Sequence, residues 1–205
     1  RLKKSENLKL RFVIDTGSNI TLLNEKLFSE KLSPSKKMTI KSLNSIKEIE
    51  YYEHNANFSI EGQDLAKNQI VYSTKFPEQF QFDGILGNDF LSEFDMVLNF
   101  PDGFVLLRKD HSVPFEELGF QAVITQFPMG YIILDGFINS SNSKKFMLDT
   151  GSGMSYIALN DDEKSDFSAG EKTHYFDALG KIQEGDVRIA KKVCIIVPIF
   201  CQDDA

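Results

Sequence analysis

The tetrapeptide Asp-Thr-Gly-Ser occurs twice in this chain, at residues 15–18 and again at residues 149–152. Each copy directly follows three apolar residues, which are Phe-Val-Ile before the first and Phe-Met-Leu before the second. A given tetrapeptide arises by chance in a chain of 205 residues about once in a thousand sequences, and two copies with matched neighbours are far rarer. The chain is therefore predicted to fold as two related halves.

A second internal similarity extends the repeat. Residues 66–72 and 190–196 both begin with Ala-Lys and end in a β-branched or apolar run. We assign residues 1–112 to an N-terminal lobe and residues 119–205 to a C-terminal lobe, with a linker around residues 110–118. A chain of this length is long enough for two small lobes.

Short apolar or alternating segments, bounded by turn residues, predict β-strands along most of the chain. These segments are residues 8–14, 56–60, 69–73, 96–100, 104–107, 131–134, 145–148, 187–189 and 193–197. Two stretches instead favour helix: residues 21–32 have mostly helical spacing of their apolar residues, and residues 88–94 could form a short helical turn. The pattern predicts an all-β fold with a few short helices.

Composition and charge exclude several classes of protein. Hydrophobic residues make up 41% of the chain and charged residues 26%, which is the balance of a folded globular protein. The net charge of −7 and the lack of a Lys/Arg stripe argue against a nucleic-acid partner. The longest apolar stretch, residues 193–201, is about half the length of a membrane-spanning helix, so we expect no transmembrane segment in this chain.

The cysteines and the start of the chain say little about the compartment. Cys194 and Cys201 are too few for a disulfide scaffold and lack the partners of a zinc site. The chain begins at Arg1 without a signal-peptide pattern. The localisation therefore stays open, and a secreted or periplasmic protein would need a targeting segment that this sequence does not include.

The repeated motif has a definite chemistry. An apolar strand that ends in Asp-Thr-Gly presents a carboxylate at the strand terminus, and the glycine lets another backbone approach closely. Two such halves facing each other would bring Asp15 and Asp149 together. Because two like charges in contact cannot both ionise, one carboxyl keeps its proton while the other remains a base. A water held between them could then be activated.

These motifs resemble those of the aspartic proteases, most closely the retropepsin-like bacterial branch. The resemblance rests on the doubled apolar-Asp-Thr-Gly-Ser motif and on the segment Asp-Gly-Ile-Leu-Gly-Asn-Asp-Phe-Leu at residues 83–91. It implies the acid-protease fold, with two β-barrel-like lobes and a cleft between them. It also implies catalysis without a metal, a cofactor or a covalent intermediate, on a peptide or protein substrate bound in extended form.

The resemblance assigns roles residue by residue. It implies that Asp15 and Asp149 form an intramolecular catalytic dyad, with their carboxyl oxygens at hydrogen-bond distance. Thr16 and Thr150 would interlock the two loops, with Gly17 and Gly151 beside them. Ser18 and Ser152 would hydrogen-bond the carboxylates, which lowers the pKa of the pair and favours activity at acidic pH. The apolar-apolar-Gly segment, Ile85, Leu86 and Gly87, would lie behind the Asp15 loop and bury it.

The family also covers its cleft with β-hairpin flaps. Residues 39–52 offer one, with Asn44 and Ser45 at the turn, and residues 174–183 offer another, with Leu179 and Gly180 near the tip. Two departures from the family pattern stand out. The second repeat has no apolar-apolar-Gly segment, and the first lacks a strand equivalent to residues 131–134. We therefore expect an incomplete C-terminal lobe, a sequence trimmed at both ends, and weak or absent activity in this form.

Two other functions compete with an aspartic endopeptidase. A catalytically silent peptide-binding or dimerisation module could retain the fold, although both intact Asp-Thr-Gly-Ser copies argue against it. A glycosidase also uses two carboxyl groups, but it would not explain the repeat, and a chain without Trp is a poor match to a sugar site. No Ser or Cys nucleophile motif accompanies His54, His111 or His174, so we expect none of them to be catalytic.

Overall fold

A computed structural model describes residues 9–28, 36–41, 46–60, 63–109, 130–139, 143–177, 180–196 and 199–203. The described chain is mostly β-strand, which confirms the predicted all-β class. The strands of the N-terminal half are β1 (Phe12–Ile14), β2 (Leu22–Asn24), β3 (Lys36–Lys41), β4 (Ile46–Ile60), β5 (Gln63–Thr74), β6 (Gly84–Leu86), β7 (Asp95–Asn99) and β8 (Phe104–Arg108). Those of the C-terminal half are β9 (Ile133–Ile138), β10 (Lys144–Met147), β11 (Ser168–Phe176), β12 (Ile182–Ile189), β13 (Lys192–Ile196) and β14 (Ile199–Asp203).

The N-terminal half is built on one curled six-stranded sheet with the strand order β1-β6-β2-β5-β4-β3. β6 pairs in parallel with β1 and antiparallel with β2, so it lies between them. Two apolar clusters pack against this sheet: Ala66, Phe90, Leu91 and Phe94 form one, and Leu23, Leu27 and Val71 form the other. The β7–β8 hairpin forms a separate two-stranded sheet.

The C-terminal half is arranged differently. Its largest sheet has four strands in the order β10-β9-β13-β14, and β11 pairs with β12 in a separate hairpin. Among the strands that the structure describes, β10 therefore has one neighbour, the antiparallel β9. Ile138 and Ala190 are the buried apolar residues among those described in this half. Among the described residues, the C-terminal half thus has fewer buried apolar side chains than the N-terminal half.

The predicted strands are confirmed, since each of them overlaps an observed strand. The short helical turn predicted at residues 88–94 is also confirmed as α1 (Asn88–Leu91). A second short helix, α2 (Asp161–Lys164), begins at a capping box formed by Asn160 and Glu163. None of the helices in the described part of the chain is long and apolar enough to cross a membrane.

The helix predicted at residues 21–32 is wrong. Leu22–Asn24 is a strand, followed by the single 3₁₀ turn Glu25–Leu27, and residues 29–32 lie outside the described residues. Leu22 pairs with Tyr72 on one side and with Ile85 on the other. A central position in the sheet buries Leu22 and Leu23 more completely than an isolated amphipathic helix would, so tertiary pairing overrides the local spacing.

Candidate active site

The structure brings the two Asp-Thr-Gly-Ser loops together. The first loop follows β1 and the second follows β10, so each aspartate stands at the end of a strand. Inside each loop the glycine amide donates to the aspartate carboxyl: Gly17 N lies 2.9 Å from Asp15 Oδ1, and Gly151 N lies 3.0 Å from Asp149 Oδ1. The same local turn therefore orients both carboxyl groups.

The carboxyl groups of Asp15 and Asp149 are close neighbours, and the charge of Asp149 raises the pKa of Asp15. Each also lies against the glycine of the opposite loop. A Cβ atom on Gly17 would lie 2.6 Å from both carboxyl oxygens of Asp149, and one on Gly151 would lie within 2.7 Å of those of Asp15. Real Cβ atoms do not approach so closely, so the juxtaposition of the carboxyl groups requires glycine at both positions.

Thr16 and Thr150 hold the loops together through four reciprocal hydrogen bonds. The Thr16 hydroxyl donates to Leu148 O at 2.7 Å, and the Thr150 hydroxyl donates to Ile14 O at 2.6 Å. Each hydroxyl oxygen also accepts from the other threonine's backbone amide at 3.1 Å. Because every bond crosses between the halves and Thr16 is fully buried, these contacts fix the spacing of the two loops.

The pKa of Asp15 is raised from its ordinary value of 3.8 to about 6. Desolvation by burial is the largest cause, and the charge of Asp149 is the next. The amides of Gly17 and Ser18 act in the opposite direction, but less strongly. The site is therefore arranged to keep a proton on the carboxyl pair at mildly acidic pH.

The expected roles of Ser18 and Ser152 are wrong. The Ser18 hydroxyl donates to Ile20 O at 2.9 Å, and the Ser152 hydroxyl donates to Met154 O at 2.7 Å. A hydroxyl has one proton to donate, so neither serine can at the same time donate to a carboxylate. The serines close their own turns, and the expected lowering of the pKa by their hydroxyls does not occur.

The segment Ile85-Leu86-Gly87 lies behind the first loop. β6 pairs with β1 so that Ile85 is opposite Val13 and Leu86 opposite Ile14, and the amide of Asp15 donates to Leu86 O at 3.0 Å. The amide of Gly87 donates to the Thr21 hydroxyl at 3.1 Å. Asp15 is thus attached to β6 through its own backbone.

Sequence reasoning missed three further residues that brace this loop. Asn88 Nδ2 donates to Thr16 O at 2.7 Å. The carboxylate of Asp89 accepts from the Thr21 amide at 2.9 Å and from the Thr21 hydroxyl at 2.7 Å. A signal is present, because Asn88 and Asp89 directly follow the apolar-apolar-Gly segment and belong to the motif at residues 83–91, but the motif by itself assigns them no contact with the loop.

The hairpin predicted at residues 39–52 is present as the β3–β4 pair, in which Lys41 is opposite Ile46. Its predicted tip residues, Asn44 and Ser45, lie outside the described residues, as does Leu179 of the second hairpin. Gly180 is described and has a φ of +71°, which favours glycine. Its carbonyl accepts a hydrogen bond from Gln79 Nε2, so the tip of the β11–β12 hairpin contacts the N-terminal half.

The two histidines that the structure describes, His54 and His174, lie away from the two Asp-Thr-Gly-Ser loops in the sequence, on strands β4 and β11. The ring of His54 stacks on Phe28 at 4.0 Å, and its Nε2 lies 2.7 Å from the hydroxyl of the buried Ser73. Burial lowers the pKa of His54. His174 lies on β11, where it faces Glu184, and His111 lies outside the described residues. Within the described ranges, no group of three or more His, Cys, Asp or Glu residues is placed to hold a metal ion.

Comparison with known proteins does not assign the chain to a family: no protein-family model matches the chain, and no curated protein matches it.

Proposed function

We propose that the chain is an aspartic endopeptidase that hydrolyses peptide bonds with a water molecule activated between Asp15 and Asp149. The observation that supports this best is the close carboxyl pair, each member of which lies against the glycine of the opposite loop. Such a pair shares one proton over a range of pH, so it offers an acid and a base at the same place. Both are needed for amide hydrolysis.

In the proposed reaction the ionised carboxylate takes a proton from the water, and the resulting hydroxide attacks the carbonyl carbon of the substrate. The protonated carboxyl donates its proton to the carbonyl oxygen, which gives a tetrahedral diol. Collapse of the diol breaks the C–N bond: the amine leaves with a proton from one carboxyl, and a diol hydroxyl gives its proton to the other, so the pair is again singly protonated. The raised pKa of Asp15 favours the singly protonated pair below about pH 6. The substrate would be a peptide or protein segment in extended form, of apolar character.

The test is cleavage of an unfolded protein by the purified chain, with and without a statine-type transition-state mimic. Asp15→Asn and Asp149→Asn should each lower the rate about 10²- to 10⁴-fold, because a neutral amide cannot serve as the base. Asp186→Asn, on the exposed face of β12, is the matched control and should cleave at the parent rate. Unchanged cleavage by either dyad variant would remove the catalytic assignment.

A catalytically silent peptide-binding module is the second candidate, and one observation favours it. Among the described residues, no strand supports the Asp149 loop as β6 supports the Asp15 loop. On this alternative the statine-type mimic would bind, while no variant or condition would yield cleavage. Binding without turnover, both by this chain and by a form extended at both ends, would therefore favour the silent module.

A further inference from the structure

The two cysteines of the chain occupy facing positions in the C-terminal half. β13 and β14 pair antiparallel, and in this register Cys194 of β13 is directly opposite Cys201 of β14. Cys194 is disulfide-bonded, and the sequence contains no cysteine besides these two. The disulfide therefore links β13 to β14, a connection that the spacing of the cysteines in the sequence does not by itself predict.

Of the two linked strands, β13 is held on the sheet by contacts that do not involve the disulfide. It pairs with β9, and the two backbones are so close that a Cβ atom on Gly136 would overlap the carbonyl oxygen of Cys194. Asn139 anchors the start of β13, because its Oδ1 accepts from the amides of Lys191 and Lys192 at 2.7 and 3.0 Å. β13 therefore does not need the disulfide to stay beside β9.

The other linked strand, β14, has fewer contacts. Among the strands that the structure describes, it pairs with β13 alone and forms one edge of the four-stranded sheet, with β10 at the opposite edge. A strand with a neighbour on one side opens more readily than a central strand, because it shares its hydrogen bonds with a single partner. The disulfide therefore matters more for holding β14 than for holding β13.

The small core of the C-terminal half gives a covalent link something to offset. Ile138 and Ala190 are its buried apolar side chains among the described residues, whereas the N-terminal sheet carries two apolar clusters. A small lobe that buries little apolar surface gains stability from a cross-link, because the link restricts the unfolded chain. Disulfides of this kind form and persist in oxidising compartments.

The disulfide also lies where a small thiol can reach it. Cys194 is partly exposed, and it stands on the strand next to the edge of the sheet rather than under an apolar cluster. Exchange between a disulfide and a thiol requires that the attacking thiolate reach one of the two sulfurs, so exposed disulfides are the ones that react. The link is therefore open to reduction while the chain is folded.

We propose that the disulfide of Cys194 is a redox-sensitive link that holds β14 on the four-stranded sheet, so that the stability of the C-terminal half depends on the redox state of its surroundings. A dithiol reductant breaks the link: the two thiols of the reductant join as a disulfide, and two electrons and two protons pass to the cysteine sulfurs, which become thiols. β14 is then held by its pairing with β13 alone. This inference concerns stability and does not depend on the proposed endopeptidase activity.

The test compares the oxidised chain with the same chain treated with dithiothreitol in the absence of denaturant. Alkylation followed by mass spectrometry should show both cysteines modified only after this treatment. Hydrogen exchange in peptides covering residues 199–203 should then become about 10- to 100-fold faster, because the ring of residues 194–201 no longer restricts the open state. The increase should be smaller at residues 192–196. It should be absent at the amide of Tyr72, which donates to Thr21 O in the N-terminal sheet.

A chain with both Cys194→Ser and Cys201→Ser should exchange like the reduced parent, with or without dithiothreitol, and the reduced parent gives the same comparison without a substitution. Ser168→Ala, at the exposed start of β11, is the control and should keep the exchange rates of the oxidised parent. A disulfide that resists dithiothreitol until denaturant is added would overturn the proposal, as would equal exchange at residues 199–203 in the oxidised and reduced chains. So would an equal increase in the N-terminal sheet, because the link would then support the whole chain rather than β14.

Discussion

The two Asp-Thr-Gly-Ser loops have the same sequence and make the same contacts with each other, yet they are supported very differently. The Asp15 loop is backed by β6 and α1, through the hydrogen bonds of Asp15, Thr16 and Thr21. The Asp149 loop is held across the interface by the Thr16–Thr150 contacts, and its strand has a single neighbour among the described strands. The comparison shows that a tetrapeptide sets the local turn, while distant segments of the chain set its rigidity.

Among the described residues, the N-terminal half, which has the better-supported loop, also buries its apolar side chains more completely. The apolar clusters of the N-terminal half bury Leu23, Val71 and Phe90 almost completely, whereas Phe176, Ile182 and Ile189 of the C-terminal hairpin are about half exposed or more. Burial of an apolar side chain contributes about 1.5–3 kcal/mol. The C-terminal half should therefore open more readily than the N-terminal half.

The largest expected effect tests the symmetry of the loops. Gly17→Ala and Gly151→Ala each place a methyl group against the opposite carboxyl, so the pair must separate. We expect the cleavage rate to fall about 100-fold in either variant, since a displacement of the order of 1 Å costs about that much. Gly153→Ala is the control, because a Cβ atom there meets no other atom within 4 Å. Full activity in one of the two loop variants would show that the loops are not equivalent.

The next prediction tests whether the rest of the chain supports the Asp15 loop more strongly than the Asp149 loop. The Thr21 hydroxyl is buried and bonds both Asp89 and Gly87, so Thr21→Ala should lower the free energy of unfolding by about 2–4 kcal/mol. Ser155→Ala, at the corresponding exposed position, should change it by less than about 0.5 kcal/mol. Urea denaturation measures both. Equal losses would mean that the second loop has support comparable to that of the first.

The pH dependence tests the carboxyl pair. The pKa of Asp15 is about 6 in the folded chain and near 3.8 when unfolded, so the folded state binds more protons between these values. Its contribution to stability is therefore fully present below about pH 4 and is lost as the pH rises to about 6. Urea denaturation at intervals of one pH unit should show that this contribution to the free energy of unfolding is lost in the parent, and that Asp15→Asn shows no such loss. The cleavage rate should likewise fall above about pH 6, and a maximum above neutrality would contradict the proposed chemistry.

The smallest effect concerns the hairpins. The contact between Gln79 and Gly180 ties the tip of the β11–β12 hairpin to the N-terminal half. Gln79→Ala should speed hydrogen exchange at the Gly180 amide roughly 2- to 5-fold, because one exposed hydrogen bond contributes about 0.5–1 kcal/mol. Global stability should not change, and Glu78→Ala should leave the exchange rate as it is. An unaltered rate in Gln79→Ala would show that this contact does not hold the tip.

The all-β class, the strands and the two-loop organisation could be predicted from sequence because they depend on local patterns. Alternating apolar residues determine which face of a strand is buried, and the repeated Asp-Thr-Gly-Ser determines the two turns. The helix predicted at residues 21–32 failed because its apolar residues are used by β5 and β6, which are distant in sequence. The contacts of Ser18 and Ser152 could not be predicted either, since a hydroxyl proton goes to whichever acceptor the folded turn places nearest.

By itself, then, the sequence determined the identity of the paired carboxyl groups, the glycines beside them and the strands that lead to them, all of which are properties of short segments. Only the tertiary structure decided how the pair is held: the crossing bonds of Thr16 and Thr150, the bracing of one loop by Asn88 and Asp89, and the pairing of β10 with β9 beside the other. The first two of these features arise from segments that meet across about 70 to 136 residues of chain, and the periodicity of a single segment contains no information about which distant partner it will meet.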